Sequence, residues 1–134
     1  MIFLALEGLE QTRAAFAATW DEAATVTASR NSKIVLSKTK FGHTFTKHGQ
    51  NVTNFLIRRA KGSGMVQGQF LDDQRAAQFI LKNMDKLRNG TISLPIPKDL
   101  PARVILPNGS FSPATHIRLV PSGTGIKTAY PFIY

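Results

Sequence analysis

The sequence changes texture at Gly90, and this division constrains the fold more than any other feature. All seven prolines lie at or beyond Pro95, and proline inside a helix removes a backbone hydrogen bond and clashes with the preceding turn. Long helices are therefore excluded from the C-terminal part. Its β-type runs TISLPI, ARVIL, THIRLV and GIKTAYPF alternate with the turn signals PKDLP, Pro107-Asn108-Gly109 and Pro121-Ser122-Gly123, which predicts a strand meander.

The earlier part is helical. Leu9, Phe16, Trp20 and Ala23 recur at helical spacing in an Ala-rich stretch, predicting a helix over Leu4 to Thr27. SKIVLS, Ser32 to Ser37, reads as a short strand or a buried turn. A short helix follows, capped by Asn51 and ended by Gly62. Met65 to Phe70 reads as an edge strand weakened by Gly68. A further helix starts at Asp72 or Asp73, carries Ala76, Ile80, Met84 and Leu87 on one stripe, and stops at Asn89-Gly90. Helices first and strands afterwards, without βαβ alternation, predict an α+β fold: N-terminal helices packed on a C-terminal twisted antiparallel β-sheet.

The chain of 134 residues suits one domain and has no Cys, which excludes a disulfide framework and a thiolate metal site. Met1 to Leu6 is apolar but runs into Glu7 and Glu10 without a basic flank, unlike a signal peptide. Net charge is +9 and unevenly spread. No acidic residue lies between Ala23 and Leu71, while Arg30, Lys33, Lys38, Lys40, Lys47, Arg58, Arg59 and Lys61 are all basic. Such a footprint fits a polyanion partner, nucleic acid first.

Two of the three histidines, His43 and His48, sit inside that stretch, in KFGHTFTKHGQNVTNFLIRRAKG. His48 precedes Gly49 and the helix start, so its ring is expected on a loop held by a rigid element. Val52, Phe55 and Leu56 form the apolar stripe of the helix. Arg59, seven residues after Val52, returns to that face and Arg58 points away. A general base beside a guanidinium suits metal-free cleavage of RNA. The plainer alternative is that Arg58, Arg59 and Lys61 only complement the helix dipole. A zinc site is disfavoured, because residues five apart on a helix diverge by about 140° and no carboxylate lies nearby in sequence.

Thr128 and Tyr130 share one face of the last predicted strand. With an even hairpin loop near Gly123 they lie beside Ile117 and Leu119; with an odd, bulged loop they lie beside His116 and Arg118. His116 is accordingly a reserve candidate.

The set GHTFTKHG, helical IRRA, GQFLDDQRAAQFI and closing GIKTAYP resembles the C-terminal ribonuclease domains of bacterial contact-dependent growth inhibition and related polymorphic toxins. Both the RNase A-like and the barnase/EndoU/colicin/RelE-like subgroups are similar in motif order. The resemblance covers Phe41 to Phe132. It makes residues 33–134 the nuclease core of a single domain and leaves 1–32 as a helical segment outside the likeness. The RNase A-like pattern, GHT-x-x-(R/K)H followed by an arginine eleven residues on and a terminal T-x-Y, implies His48, Arg59, Thr128 and Tyr130 as site residues. His43, Arg58 and His116 stand as additional candidates. Gly49 departs from the pattern, since those toxins often carry a β-branched residue there. The doubled Arg58-Arg59 leaves the arginine open by one position.

The resemblance implies a metal-independent endoribonuclease acting on tRNA, with no cofactor, and a 2′,3′-cyclic phosphate product. Lys38, Lys40, Lys47 and Lys61 are expected to bind RNA. It further implies a toxin tail of a large secreted bacterial protein, acting in the cytoplasm of a neighbouring bacterium. An acidic cognate immunity protein would be its partner, and no membrane insertion is expected. The alternatives are a non-catalytic nucleic-acid-binding module and a metal-dependent DNase toxin.

Overall fold

The computed structural model describes residues 33–134, which hold one compact unit, Val35–Tyr134. The helix expected over Leu4 to Thr27 lies outside the described residues. In chain order the elements are α1 (Lys38–Phe41), α2 (Thr44–His48), α3 (Thr53–Ser63), β1 (Gln67–Phe70), α4 (Asp73–Lys82), a 3₁₀ turn (Met84–Leu87), β2 (Ile92–Pro95), β3 (Ala102–Ile105), β4 (Phe111–Pro113), β5 (His116–Pro121) and β6 (Ile126–Phe132). The class is α+β. The strands form two antiparallel three-stranded sheets, ordered β1-β3-β4 and β2-β5-β6.

Several local expectations are corrected. SKIVLS is not a strand over its described residues: the chain there is irregular, Val35 is 80% exposed, and Ser37 caps α1 by accepting from the Lys40 N–H. The histidine segment is not an open loop but two short helical turns, with His43 at the N-cap of α2 and His48 at its end. Helix α3 is capped by Val52, not Asn51, and runs through Gly62 to a left-handed Gly64 at φ 70°. The next helix breaks at Asn83, whose side-chain amide bonds back to the Phe79 carbonyl at 2.8 Å. Met84 and Leu87 therefore continue on a 3₁₀ turn. Strand β4 carried no sequence signal, being only three residues long and containing Pro113.

The apolar faces account for the packing. Leu56 and Ala60 of α3 bury against Ile105 of β3, flanked by Val52 and Ile57. Ile117 and Leu119 of β5 and Ile126 and Ala129 of β6 are buried on the inner face of the second sheet. Phe41, Phe45 and Phe70 link α1 and α2 to β1 through ring contacts of 5.4 and 6.4 Å.

Strands β1 and β6, one from each sheet, pack closely at Gly68 and Pro131, where a Cβ on Gly68 would collide with the Pro131 carbonyl. The Gly68 carbonyl in turn accepts from His48 Nδ1. Gly68→Ala is therefore expected to lower stability by about 1–3 kcal/mol through overpacking against backbone. A urea titration against wild type checks this, and an unchanged midpoint would contradict the close approach.

Candidate active site

His48 ends α2 and is half-buried, and its Nδ1 lies 2.9 Å from the Gly68 carbonyl oxygen. A carbonyl oxygen only accepts, so Nδ1 carries the proton and donates it. Nε2 is then the basic nitrogen of the neutral ring, and it has no hydrogen-bond partner among the described residues. The ring packs on Tyr130 at 5.3 Å between centroids and a 33° tilt. Burial holds the His48 pKa below its ordinary value of 6.5; the bond to Gly68 opposes this, and the charges of Arg59 and Lys47 add to it. The imidazole is thus neutral at pH 7, the form a general base requires.

Both arginines are exposed, and the positive charge of Arg59 adds to what holds the His48 pKa down. Arg59 is not drawn into the core, as helical phase had suggested: its guanidinium lies 5.9 Å from the ring of Phe55, which is itself exposed. Leu56 and Ala60 occupy the buried face instead.

Strand β6 supplies the other members. Arg118 pairs with Tyr130 and Val120 with Thr128, but Pro121 pairs with Ile126, so Lys127 is an extra, bulged residue. This is the bulged alternative, and it places Thr128 and Tyr130 on the face that also holds His116 and Arg118. The Lys127 carbonyl leaves the ladder to accept from the His43 N–H at 2.9 Å, tying the start of α2 to β6.

His43 itself is exposed, and its ring has no hydrogen-bond partner among the described residues. Its backbone does the positioning. His116 lies further along the sheet with Phe132 and Tyr134 and has no ring contact with His48. Lys38, Lys40 and Lys61 are exposed and Lys47 half-exposed.

A buried polar network behind the histidine carries little sequence signal. Gln69 is fully buried; its amide nitrogen donates to the Gly49 carbonyl at 3.1 Å and to Thr53 Oγ1 at 2.9 Å. Its oxygen accepts from Arg103 Nε at 3.0 Å, and the Arg103 guanidinium stacks 3.8 Å from the Phe111 ring. Gln50 and Asp73 exchange two hydrogen bonds of 2.8 Å, backbone N–H to side-chain oxygen in each direction. Desolvation raises the Asp73 carboxyl, the Gln50 bond lowers it, and neighbouring Asp72 raises it. Gly49 is enclosed here: a Cβ would sit 2.5 Å from the Phe45 carbonyl oxygen and 3.2 Å from the Asp73 oxygens. That accounts for glycine where a β-branched residue was expected. The only sequence hint was Gly68, flagged by its place in a strand.

No group of three or more His, Cys, Asp or Glu among the described residues is placed to hold a metal ion. No described helix is long and apolar enough to cross a membrane.

No protein-family model and no curated protein matches the chain. Among solved structures it is similar to a chain from the crystal structure of a CdiA-CT/CdiI complex of Y. kristensenii, with a TM-score of 0.45 and 20% sequence identity. The match covers 67% of this chain and 98% of that one.

Gln69→Leu removes the amide donor to the Gly49 carbonyl, which keeps only the longer 3.4 Å bond from the Val52 N–H, and leaves the part-buried Arg103 Nε–H without its acceptor. The expected loss is about 1–3 kcal/mol per orphaned group, read as a lower urea midpoint. His48 also makes stability depend on pH. The unfolded histidine titrates near 6.5 and the folded one lower, so in the interval between them the unfolded state binds more protons. Stability is full above that interval, falls as pH drops through it, and levels off below the folded value. Asp73 works in the opposite sense at lower pH. The difference between wild type and His48→Gln therefore isolates the histidine. Equal urea midpoint shifts for the two proteins between about pH 8 and about pH 5 would contradict a depressed His48.

Proposed function

We propose that this chain is a metal-independent endoribonuclease toxin that cuts tRNA. The observation that carries the reading is one histidine: its Nδ1–H is fixed by the Gly68 carbonyl, its Nε2 is free, Tyr130 is stacked beside it and Arg59 is within electrostatic reach.

His48 Nε2 takes the proton of a ribose 2′-OH as that oxygen attacks the adjacent phosphorus. The 2′-O–P bond forms and the P–O5′ bond breaks, leaving a 2′,3′-cyclic phosphate and a 5′-hydroxyl. Arg59 stabilises the charge developing on the non-bridging oxygens, the kind of preorganised contribution that is commonly the largest. Thr128, on the same strand face, hydrogen-bonds a phosphate oxygen. The Tyr130 phenol gives the leaving 5′-oxygen its proton. Lys38, Lys40, Lys47 and Lys61 bind backbone phosphates, so activity falls steeply with salt.

Delivery belongs to the same proposal: a toxin tail of a larger secreted protein, held inactive in the producing cell by an acidic immunity protein over this basic surface. The motif order GHTFTKHG to GIKTAYP supports it.

The test is incubation with total bacterial RNA in excess EDTA. Wild type is expected to give discrete tRNA fragments with cyclic phosphate ends. His48→Ala should lose about 10²–10⁴-fold in rate, and Arg59→Ala about 10²–10³-fold, more than Arg58→Ala. Full cleavage by His48→Ala would sink the mechanism. Cleavage of DNA abolished by EDTA would replace it with the metal-dependent alternative.

A further inference from the structure

Strands β5 and β6 present the face that carries Thr128 and Tyr130, and beyond those two it holds side chains that the mechanism does not use: His116, Arg118, Phe132 and, past the strand end, Tyr134. We propose that this face is a base-stacking site for single-stranded RNA, holding unpaired nucleotides next to the bond cut at His48; the site rests on the ribonuclease reading for its substrate.

The bulge at Lys127 brings Tyr130 and Phe132 to the same side as Arg118 and His116. From Tyr130, already in contact with His48, the rings continue outward. Tyr130 to Phe132 is 6.5 Å, Phe132 to His116 is 5.7 Å, and His116 to Tyr134 is 4.5 Å. All these contacts are tilted or edge-on, between 39° and 63°, so the rings do not consume one another's flat faces. Residues two apart on a strand are separated by about 6.8 Å, a spacing that seats bases between or upon successive rings.

Arg118 adds a planar cation. Its guanidinium lies 4.5 Å from the Phe132 ring, and its Nε donates to Ser93 Oγ at 3.2 Å. Held between ring and hydroxyl, it presents a fixed plane of the kind that stacks on unpaired bases. No acidic side chain among the described residues pairs with it. There is also no Asp or Glu from Leu100 to Tyr134, so strands β5 and β6 themselves bring no acidic side chain to the face. Aromatic rings in series with a planar cation on an acid-free sheet are the makings of a single-strand platform. An acidic protein would meet the cation but has no use for the run of rings.

The test measures equilibrium binding by fluorescence anisotropy, using a 2′-O-methyl RNA octamer that lacks the attacking hydroxyl, and an abasic octamer of equal charge. Tyr134 is 85% exposed, so Tyr134→Ala removes a ring without emptying a core. Arg118→Lys keeps the charge and removes the plane. Each variant is expected to weaken the base-bearing octamer by about tenfold, while the abasic octamer changes far less. Octamer binding unaltered by both variants, or no octamer binding by wild type, overturns the proposal. So does equal weakening of both octamers, which would mark a surface for anions generally, such as an acidic protein partner. Since neither probe can be cut, these outcomes stand apart from the cleavage assay. A wild type that binds through its bases yet leaves RNA intact in EDTA would remove the catalytic reading and keep the platform.

Discussion

The structure depends on the close approach of two strands at Gly68. A side chain there would collide with the Pro131 carbonyl, so β1 and β6 come together only because this residue has none. Its carbonyl oxygen is the acceptor that orients His48. One backbone position thereby joins the two sheets and fixes the imidazole tautomer. Contact with Tyr130, one residue before Pro131, completes the arrangement.

Around this joint the polar groups satisfy one another. Gln69 faces the segment that follows His48 and bonds to Gly49 and Thr53, while Arg103 satisfies its oxygen. Gln50 and Asp73 close the other side. The short helix α2, only five residues long, has little stability of its own, because short isolated helices are marginal in water. It is held at its N-terminus by the bulged Lys127 carbonyl and at its C-terminus by this network. A histidine on such an element keeps its position without being sealed from solvent.

Electrostatics and topology work together at the surface. Arg59 and Lys47 add their positive charges to the burial that depresses His48. The same charges make the surface around the histidine attractive to an anion. The extra residue at Lys127 sets which side chains line the path away from that place.

Much of this was legible in the residues. The prolines after Gly90 limited that region to strands and turns, because proline removes an amide donor wherever it stands. Ala76 and Ile80 set the buried face of α4 as their spacing indicated, whereas of the stripe expected on α3 Leu56 is buried and Phe55 is exposed, with Ala60 completing the buried face. The acid-free run set the sign of the surface. These are local properties, carried by a few consecutive residues. What depended on contact between distant segments was not legible. The division into two sheets, the break at Asn83, the bulge at Lys127 and the exposure of Arg59 were decided by tertiary structure alone. Each turns on which distant backbone group answers a given hydrogen bond or which side chain fills a given gap. The sequence by itself determined the longer helices, most of the strands and where the positive charge lies, because these are set by neighbouring residues. Only the fold decided that His48, Tyr130 and Gly68 meet, because that meeting requires two strands far apart in the chain to touch.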